Sequence, residues 1–305
     1  MDPALAELRN RFPRAGLEPA RFDGQFVRDS LGGRTRIAYL RRADDPLSLN
    51  ERNTFLDLFQ PGLTGDYLDW QTVLQSASSA PGDFQMIELG AGWGRWSVLA
   101  GLAARAFGKR LGRLAAYEAE PTHYAYTRRH FADNGLPPRR HRVVRAAVGA
   151  TDGMGAFYVG RPQAWYGQAL QPAGRATPWL TRLWRQWRGG EALKKVPVVG
   201  LSTILADYEQ VDLVHMDIQG AERDVAEGAI DALDAQVRRV HIATHSPDTA
   251  ATGGQDVEAP LRRLFTEHGW ELEVDVPCQG QADVCGRPVQ VNDGVQVWRN
   301  RRLAA

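Results

Sequence analysis

The stretch Met86-Ile87-Glu88-Leu89-Gly90-Ala91-Gly92-Trp93-Gly94-Arg95-Trp96 constrains the fold of this chain more than any other. A short apolar strand carries an acidic residue near its end, passes into glycines at alternate positions, and enters an amphipathic helix. Glycine lets the backbone come close to a ligand, and the helix start offers unpaired N–H groups. The stretch therefore reads as a cradle for a nucleoside-bearing cofactor, formed by Glu88, Gly90, Ala91, Gly92, Trp93 and Gly94.

The chain around it keeps the same rhythm. Strand-like runs at 84–89, 111–117, 142–148, 196–201, 212–217 and 237–244 are separated by helical patterns such as 121–134 and 202–208. Two further strands, at 270–276 and 294–298, flank the end of the chain. This alternation predicts an α/β fold with a mainly parallel sheet covered on both faces. Residues 1–80 are expected to form an N-terminal appendage, a cap or oligomerisation segment, so that a homo-oligomer is one expectation. It begins with a helix carrying Leu5, Leu8 and Phe12, closed by Pro13 and Gly16. A hairpin of runs 22–27 and 34–40 around the turn Ser30 to Gly33 follows, then helices over 53–75 broken at Pro61-Gly62. Ser76 to Gly82 reads as a linker.

Bulk properties exclude some functions. The formal net charge of +1 over 305 residues argues against nucleic-acid binding through bulk charge. No apolar run approaches the roughly 18 residues a transmembrane helix needs. The start, MDPALAELRNRF, has no apolar core, so no secretory signal is expected. Two cysteines, Cys278 and Cys285, are too few for a disulfide framework. A cytoplasmic protein is expected.

The glycine spacing bears on which nucleotide binds. A dinucleotide fingerprint reads G-x-G-x-x-G, whereas this chain has glycines at 90, 92 and 94 and arginine at 95. An NAD-dependent enzyme is thus disfavoured. Glu118, which ends the second strand, is placed for a ribose, whose two hydroxyls suit two carboxylate oxygens.

The second informative stretch is Val211-Asp212-Leu213-Val214-His215-Met216-Asp217-Ile218-Gln219-Gly220-Ala221-Glu222. A buried strand delivers Asp217 to the same rim of the sheet, and Gly220 permits a turn into a helix. Glu-Leu-Gly-Ala-Gly-Trp-Gly paired with this later Asp-x-x-Gly-x-Glu block resembles the FkbM family of S-adenosylmethionine-dependent methyltransferases. Tyr117 to Pro121, Asn134-Gly135-Leu136, Arg145 to Gly149 and Trp165-Tyr166-Gly167 support the resemblance, which covers roughly 84–245. It implies a Rossmann-like class I methyltransferase domain at 81–305, mostly parallel with a terminal antiparallel hairpin. It implies S-adenosylmethionine as cofactor, its methionine end along Glu88 and Gly90 to Gly94, its ribose on Glu118, and Ala146 and Ala147 beside the adenine. The family usually carries glutamate where this chain has Gln219, so a non-catalytic cofactor-binding module is the alternative.

Methyl transfer to a hydroxyl needs that hydroxyl's proton removed. Asp217, His245 and His215 are the catalytic candidates, and Asp217 also borders the cofactor. Alternation places His215 on the same side of the strand as Asp217, buried beneath the site, while His241 reads as structural. Asp217 and His245 would bind a divalent ion only if a further oxygen ligand joined them, and no metal is predicted.

Residues 161–195 break the strand–helix rhythm with a basic, aromatic insertion. Trp165, Tyr166, Trp179, Trp184 and Trp187 accompany Arg175, Arg182, Arg185, Arg188, Lys194 and Lys195, and a helix is expected over 179–187. Aromatic faces suit sugar rings and arginines suit phosphate or carboxylate. Trp165, Tyr166, Arg182 and Arg185 are the substrate-binding candidates. The expected acceptor is a hydroxyl of an anionic glycan, sugar nucleotide or glycosylated natural product. The same helix is compatible with peripheral attachment to an anionic membrane surface.

Overall fold

A computed structural model describes residues 3–39, 61, 66–160, 170, 192–247, 252 and 254–303. Helix α1 (Pro3–Arg11) precedes three short strands, β1 (Arg21–Phe22), β2 (Phe26–Arg28) and β3 (Arg34–Arg36), which form a small antiparallel sheet. The expected run 22–27 is thus itself folded back. Asp23 Oδ1 accepts the N–H of Phe26, closing a turn that pairs Phe22 with Val27. Helix α2 (Asp66–Ser79) follows. The expected linker at 76–82 begins inside it, because Ser76 and Ala77 are buried and the Ser78 and Ser79 hydroxyls donate to Gln75 O.

Alternation then sets in with β4 (Phe84–Leu89), α3 (Arg95–Ala106), β5 (Leu111–Tyr117), α4 (Pro121–Asp133) and β6 (Arg142–Val144). Next come β7 (Ala147–Gly149), β8 (Gly153–Val159), β9 (Ala192–Gly200), α5 (Leu201–Leu205), β10 (Leu213–Met216), α6 (Glu222–Gln236) and β11 (Arg239–Thr244). The chain ends with α7 (Glu258–Glu267), β12 (Glu271–Val276), β13 (Gln281–Val284), β14 (Arg287–Gln290) and β15 (Gly294–Arg299).

Seven strands form the central sheet in the order β12-β15-β11-β10-β4-β5-β6. All neighbours from β11 to β6 are parallel, and β15 is antiparallel to both β11 and β12. This is the Rossmann-like arrangement of class I methyltransferases. The single strand expected over 142–148 divides, since β6 joins this sheet while β7 pairs with β9 in a separate three-stranded sheet with β8. A hairpin, β13–β14, also occupies what reads as a polar connection in the sequence. Cys285 takes φ 55° at its turn, and among the described residues the two cysteines form no disulfide.

Strand alternation feeds two cores. Met86, Leu114, Ala116 and Leu213 face one side, beneath α2 and α3, where Leu5, Leu8 and Phe12 from the N-terminal segment join the same cluster. Ile87, Leu89, Ala115, Val214, Met216 and Ile242 face the other, against α5, α6 and α7. Among the described residues no helix is long and apolar enough to cross a membrane.

Candidate active site

Successive connections run outward in opposite directions from β4 and β10, which makes their carboxyl ends the switch point of the sheet, where open α/β sheets bind ligands. Leu89 pairs with Tyr117 on one side and with Met216 on the other. The next residue of each strand, Gly90, Glu118 and Asp217, therefore emerges at one level.

The turn after β4 is fixed from three directions. The N–H groups of Gly90 and Ala91 both donate to Tyr117 O at 3.0 Å, and Asp217 N–H donates to Leu89 O at 3.0 Å. Gly90 has φ 79°, and a Cβ there would sit 1.8 Å from Asp217 O, so only glycine fits. Helix α4 holds the loop's outer side. The Thr127 hydroxyl donates to Gly92 O at 2.7 Å, and His130 Nδ1 meets Trp93 O at 3.0 Å.

Glu88 is buried, and its carboxylate accepts the N–H groups of Trp96 and Ser97 at 3.1 and 2.9 Å. It braces the start of α3, in keeping with the attraction between an acid and a helix N-terminus. Burial pushes its carboxyl up to about 7 despite those hydrogen bonds.

Glu118 accepts the N–H of Gly92 on Oε2 at 2.8 Å and that of Glu120 on Oε1 at 2.7 Å. Burial pushes it up to about 7. Glu120 caps α4, its Oε2 accepting from Thr122 and His123 N–H, while its buried Oε1 has no hydrogen-bond partner among the described residues. Sequence reading missed Glu120, although Pro121 after it marks the first turn of a helix and so the capping position before it. Ala146 and Ala147, both buried, lie where the chain leaves β6 for β7.

Across the switch point, Asp217, Gln219, Glu222 and His245 converge. Gln219 takes the left-handed φ of 57°, which turns its amide toward the other two side chains at the rim. Its Nε2 lies 3.0 Å from Asp217 Oδ1 and 2.8 Å from His245 Nε2. His245 Nε2 is 3.3 Å from Asp217 Oδ1, and its Nδ1 is 3.1 Å from Glu222 Oε1. Glu222 is fully buried and accepts the N–H groups of Ile218 and Gly220. Burial works against a charge on His245, but the two carboxylates push it up to about 11. Burial likewise opposes ionisation of Asp217, yet contact with His245 holds its carboxyl below the usual range.

A profile of the FkbM methyltransferase domain matches residues 88–270, more than half of the chain. The chain belongs to the FkbM methyltransferase family.

A protein of Jannaschia sp. (strain CCS1) that carries a provisional methyltransferase name is 26% identical over 245 residues, 77% of this chain and 79% of its own. Two solved structures are also similar to this chain at low identity. The FkbM methyltransferase of Methylobacillus flagellatus KT has a TM-score of 0.41 and 12% identity, covering 76% of this chain and 58% of that one. Cofactor-bound Rv0187 from MTB has a TM-score of 0.41 and 16% identity over 99% and 91% of the respective chains.

This FkbM chain is an S-adenosylmethionine-dependent methyltransferase, and its residues fit that cofactor. The Glu118 oxygens accept main-chain N–H groups, and the lone pairs they retain are the acceptors that a ribose diol requires. The buried, unpartnered Glu120 Oε1 lies beside it in sequence and adds an acceptor.

His215 lies outside the rim of the FkbM site. It pairs with Glu88 one residue below the switch point, and His241 is its neighbour on β11. The two rings stack with centroids 4.6 Å apart, and both Nε2 atoms face Asp69 Oδ1, at 2.8 and 3.2 Å. Trp96, the second residue of α3, covers His215 at 5.6 Å. Arg95 stacks on Trp96 and reaches Asp66 at 2.8 Å. His215 is therefore buried beneath the rim, packed between His241, Asp69 and Trp96. Nothing in the sequence pattern links Asp66 and Asp69 to a strand roughly 145 residues away. The candidates Trp165, Tyr166, Arg182 and Arg185, with the helix expected over 179–187, lie outside the described residues.

Proposed function

We propose that this methyltransferase methylates a hydroxyl oxygen, and that the acceptor is an anionic glycan, sugar nucleotide or glycosylated natural product. The observation that carries the reading is the ionised Asp217 at the switch point, in backbone contact with the cofactor turn through Gly90 and paired with His245. When bound, S-adenosylmethionine supplies an electrophilic methyl group, so the protein's main tasks are alignment and removal of one proton.

Asp217, whose side chain is 40% exposed, is the group that an acceptor hydroxyl can reach. It accepts the hydroxyl's hydrogen bond and takes its proton as the oxygen is methylated, passing it to water. His245 is 2% exposed and is itself a cation in this arrangement, so it orients Asp217 rather than acting as base. Glu222 fixes His245 from behind. The tryptophan- and arginine-rich stretch 161–195 favours an acceptor with sugar rings and negative charge. Residues 1–80 are read as an N-terminal appendage, a cap or oligomerisation segment.

Methyl-tritiated cofactor and a panel of uronic-acid glycans, sugar nucleotides and glycosides test this reading. Label in an alkali-stable ether is expected. Label in an alkali-labile methyl ester, or on nitrogen, would overturn it.

A further inference from the structure

We infer that Asp217, Gln219 and His245 form a binding site for one divalent cation, an inference that deepens the hydroxyl-methylation reading and rests on it. Their three terminal atoms form a compact triangle. Asp217 Oδ1 is 3.0 Å from the Gln219 amide and 3.3 Å from His245 Nε2, and the amide is 2.8 Å from Nε2. An octahedral ion with ligands at about 2.1 Å has adjacent donors roughly 3.0 Å apart, so this triangle is the size of one octahedral face.

With its nitrogen turned inward, the Gln219 amide donates to Asp217 Oδ1 and to His245 Nε2. A half-turn of the amide, whose oxygen and nitrogen have nearly the same shape, directs Gln219 Oε1 inward. Three lone pairs then converge on one point, and a cation there satisfies all of them.

The surroundings suit this role. Glu222 Oε1 lies 3.1 Å from His245 Nδ1, so a divalent ion that displaces the Nε2 proton leaves the other ring proton beside a carboxylate. A carboxylate behind a histidine ligand is the usual outer support of a metal site. Asp293 also lies close enough for its charge to act on Asp217, Glu222 and His245. Asp217 and Glu222 flank the imidazole directly. The partial exposure of Asp217 leaves an open side for waters and for the acceptor hydroxyl. Two oxygens and one imidazole nitrogen are a donor set for Mn2+ or a similar divalent ion. Bound to it, the acceptor hydroxyl would be acidified; its proton would pass to the Asp217 carboxylate and on to water as the S–CH3 bond of the sulfonium breaks, the methyl ether forms and the neutral thioether leaves.

Sequence alone supplied two of these donors. The third is Gln219, which the left-handed turn carries into the cluster.

Paramagnetic-resonance titration of chelator-treated protein with Mn2+ tests the inference, with S-adenosylhomocysteine titration of the same samples reporting an intact fold. One bound Mn2+ per chain is expected. Q219A and H245A should weaken it at least about tenfold, E222Q by about tenfold to a hundredfold, and Q219E should strengthen it by adding a charged oxygen. Absence of bound Mn2+ in protein that binds S-adenosylhomocysteine would overturn the cation site and leave the methylation reading standing. Equal Mn2+ affinity in the wild type, Q219A and Q219E would also overturn it. Tight, Gln219-dependent Mn2+ binding in an enzyme that labels only nitrogen would instead remove the hydroxyl reading alone.

Discussion

A Cβ on Gly90 would lie 1.8 Å from the main-chain oxygen of Asp217, so the cofactor turn and the proposed catalytic strand end are in direct backbone contact. No side chain separates the two halves of the site. Any residue larger than glycine at 90 displaces Asp217 along with the turn, and the left-handed φ of 79° adds strain of its own.

G90A is therefore expected to cost at least about 2 kcal/mol of stability and to abolish methyl transfer. Thermal unfolding and single-turnover transfer on the same sample check this. Wild-type activity in G90A would mean that the turn and Asp217 move independently.

His130 ties the N-terminal hairpin to the cofactor turn, meeting Thr35 Oγ1 at 2.9 Å and Trp93 O at 3.0 Å. Because Trp93 O can only accept, Nδ1 carries the proton and Nε2 accepts from Thr35. Burial pulls this histidine down to about 4, so the fold holds it neutral. Its contribution is fully present above the ordinary value of 6.5 and is lost as pH falls through 4. Wild-type protein should lose stability on the order of 3 kcal/mol between those limits that H130Q does not lose. Denaturant midpoints at pH 7, 5 and 4 measure the difference.

Asp69 serves two stacked histidines at once, and contact with them holds its carboxyl low against the opposing effect of burial. D69A leaves His215 and His241 without that acceptor and should destabilise the protein by about 3 kcal/mol. Trp96 rests on His215, so loosening of the α3 start should accompany it. Hydrogen exchange at Trp96 and Ser97 N–H reports that second effect, and unchanged protection there would confine the cluster to a packing role.

Glu118 should govern cofactor affinity through its ionised form. S-adenosylhomocysteine binding should tighten as pH rises through about 7, the value to which burial pushes Glu118. E118A should bind about tenfold to a hundredfold more weakly, the worth of one or two hydrogen bonds to a charged group. Calorimetric titration at pH 6 and 8 tests both statements.

The sheet was legible because its signals are local. Apolar runs such as 84–89 and 111–117 coincide with β4 and β5, and the glycines mark the turn between strand and helix. Errors arose where tertiary contacts override composition. Ser76 to Ser79 read as a linker, yet Ser76 is buried against Arg239 Nη1 and α2 continues to Ser79. The run 142–148 divided between two sheets because β9 draws Ala147 to Gly149 away from β5.

At the site, Gly90, Glu118 and Asp217 could be placed from strand ends alone, since each directly follows its strand. The partnership of Gln219 with His245 could not. It depends on one left-handed residue and on a strand 26 residues away. Asp69 reaching His215 over 146 positions is equally invisible to periodicity.

A crystal structure with S-adenosylhomocysteine bound tests the central claim most directly. The ribose should lie on Glu118, with the homocysteine along Gly90 to Gly94 and the sulfur directed across the switch point toward Asp217. A sulfur directed away from Asp217, Gln219 and His245 would contradict the account.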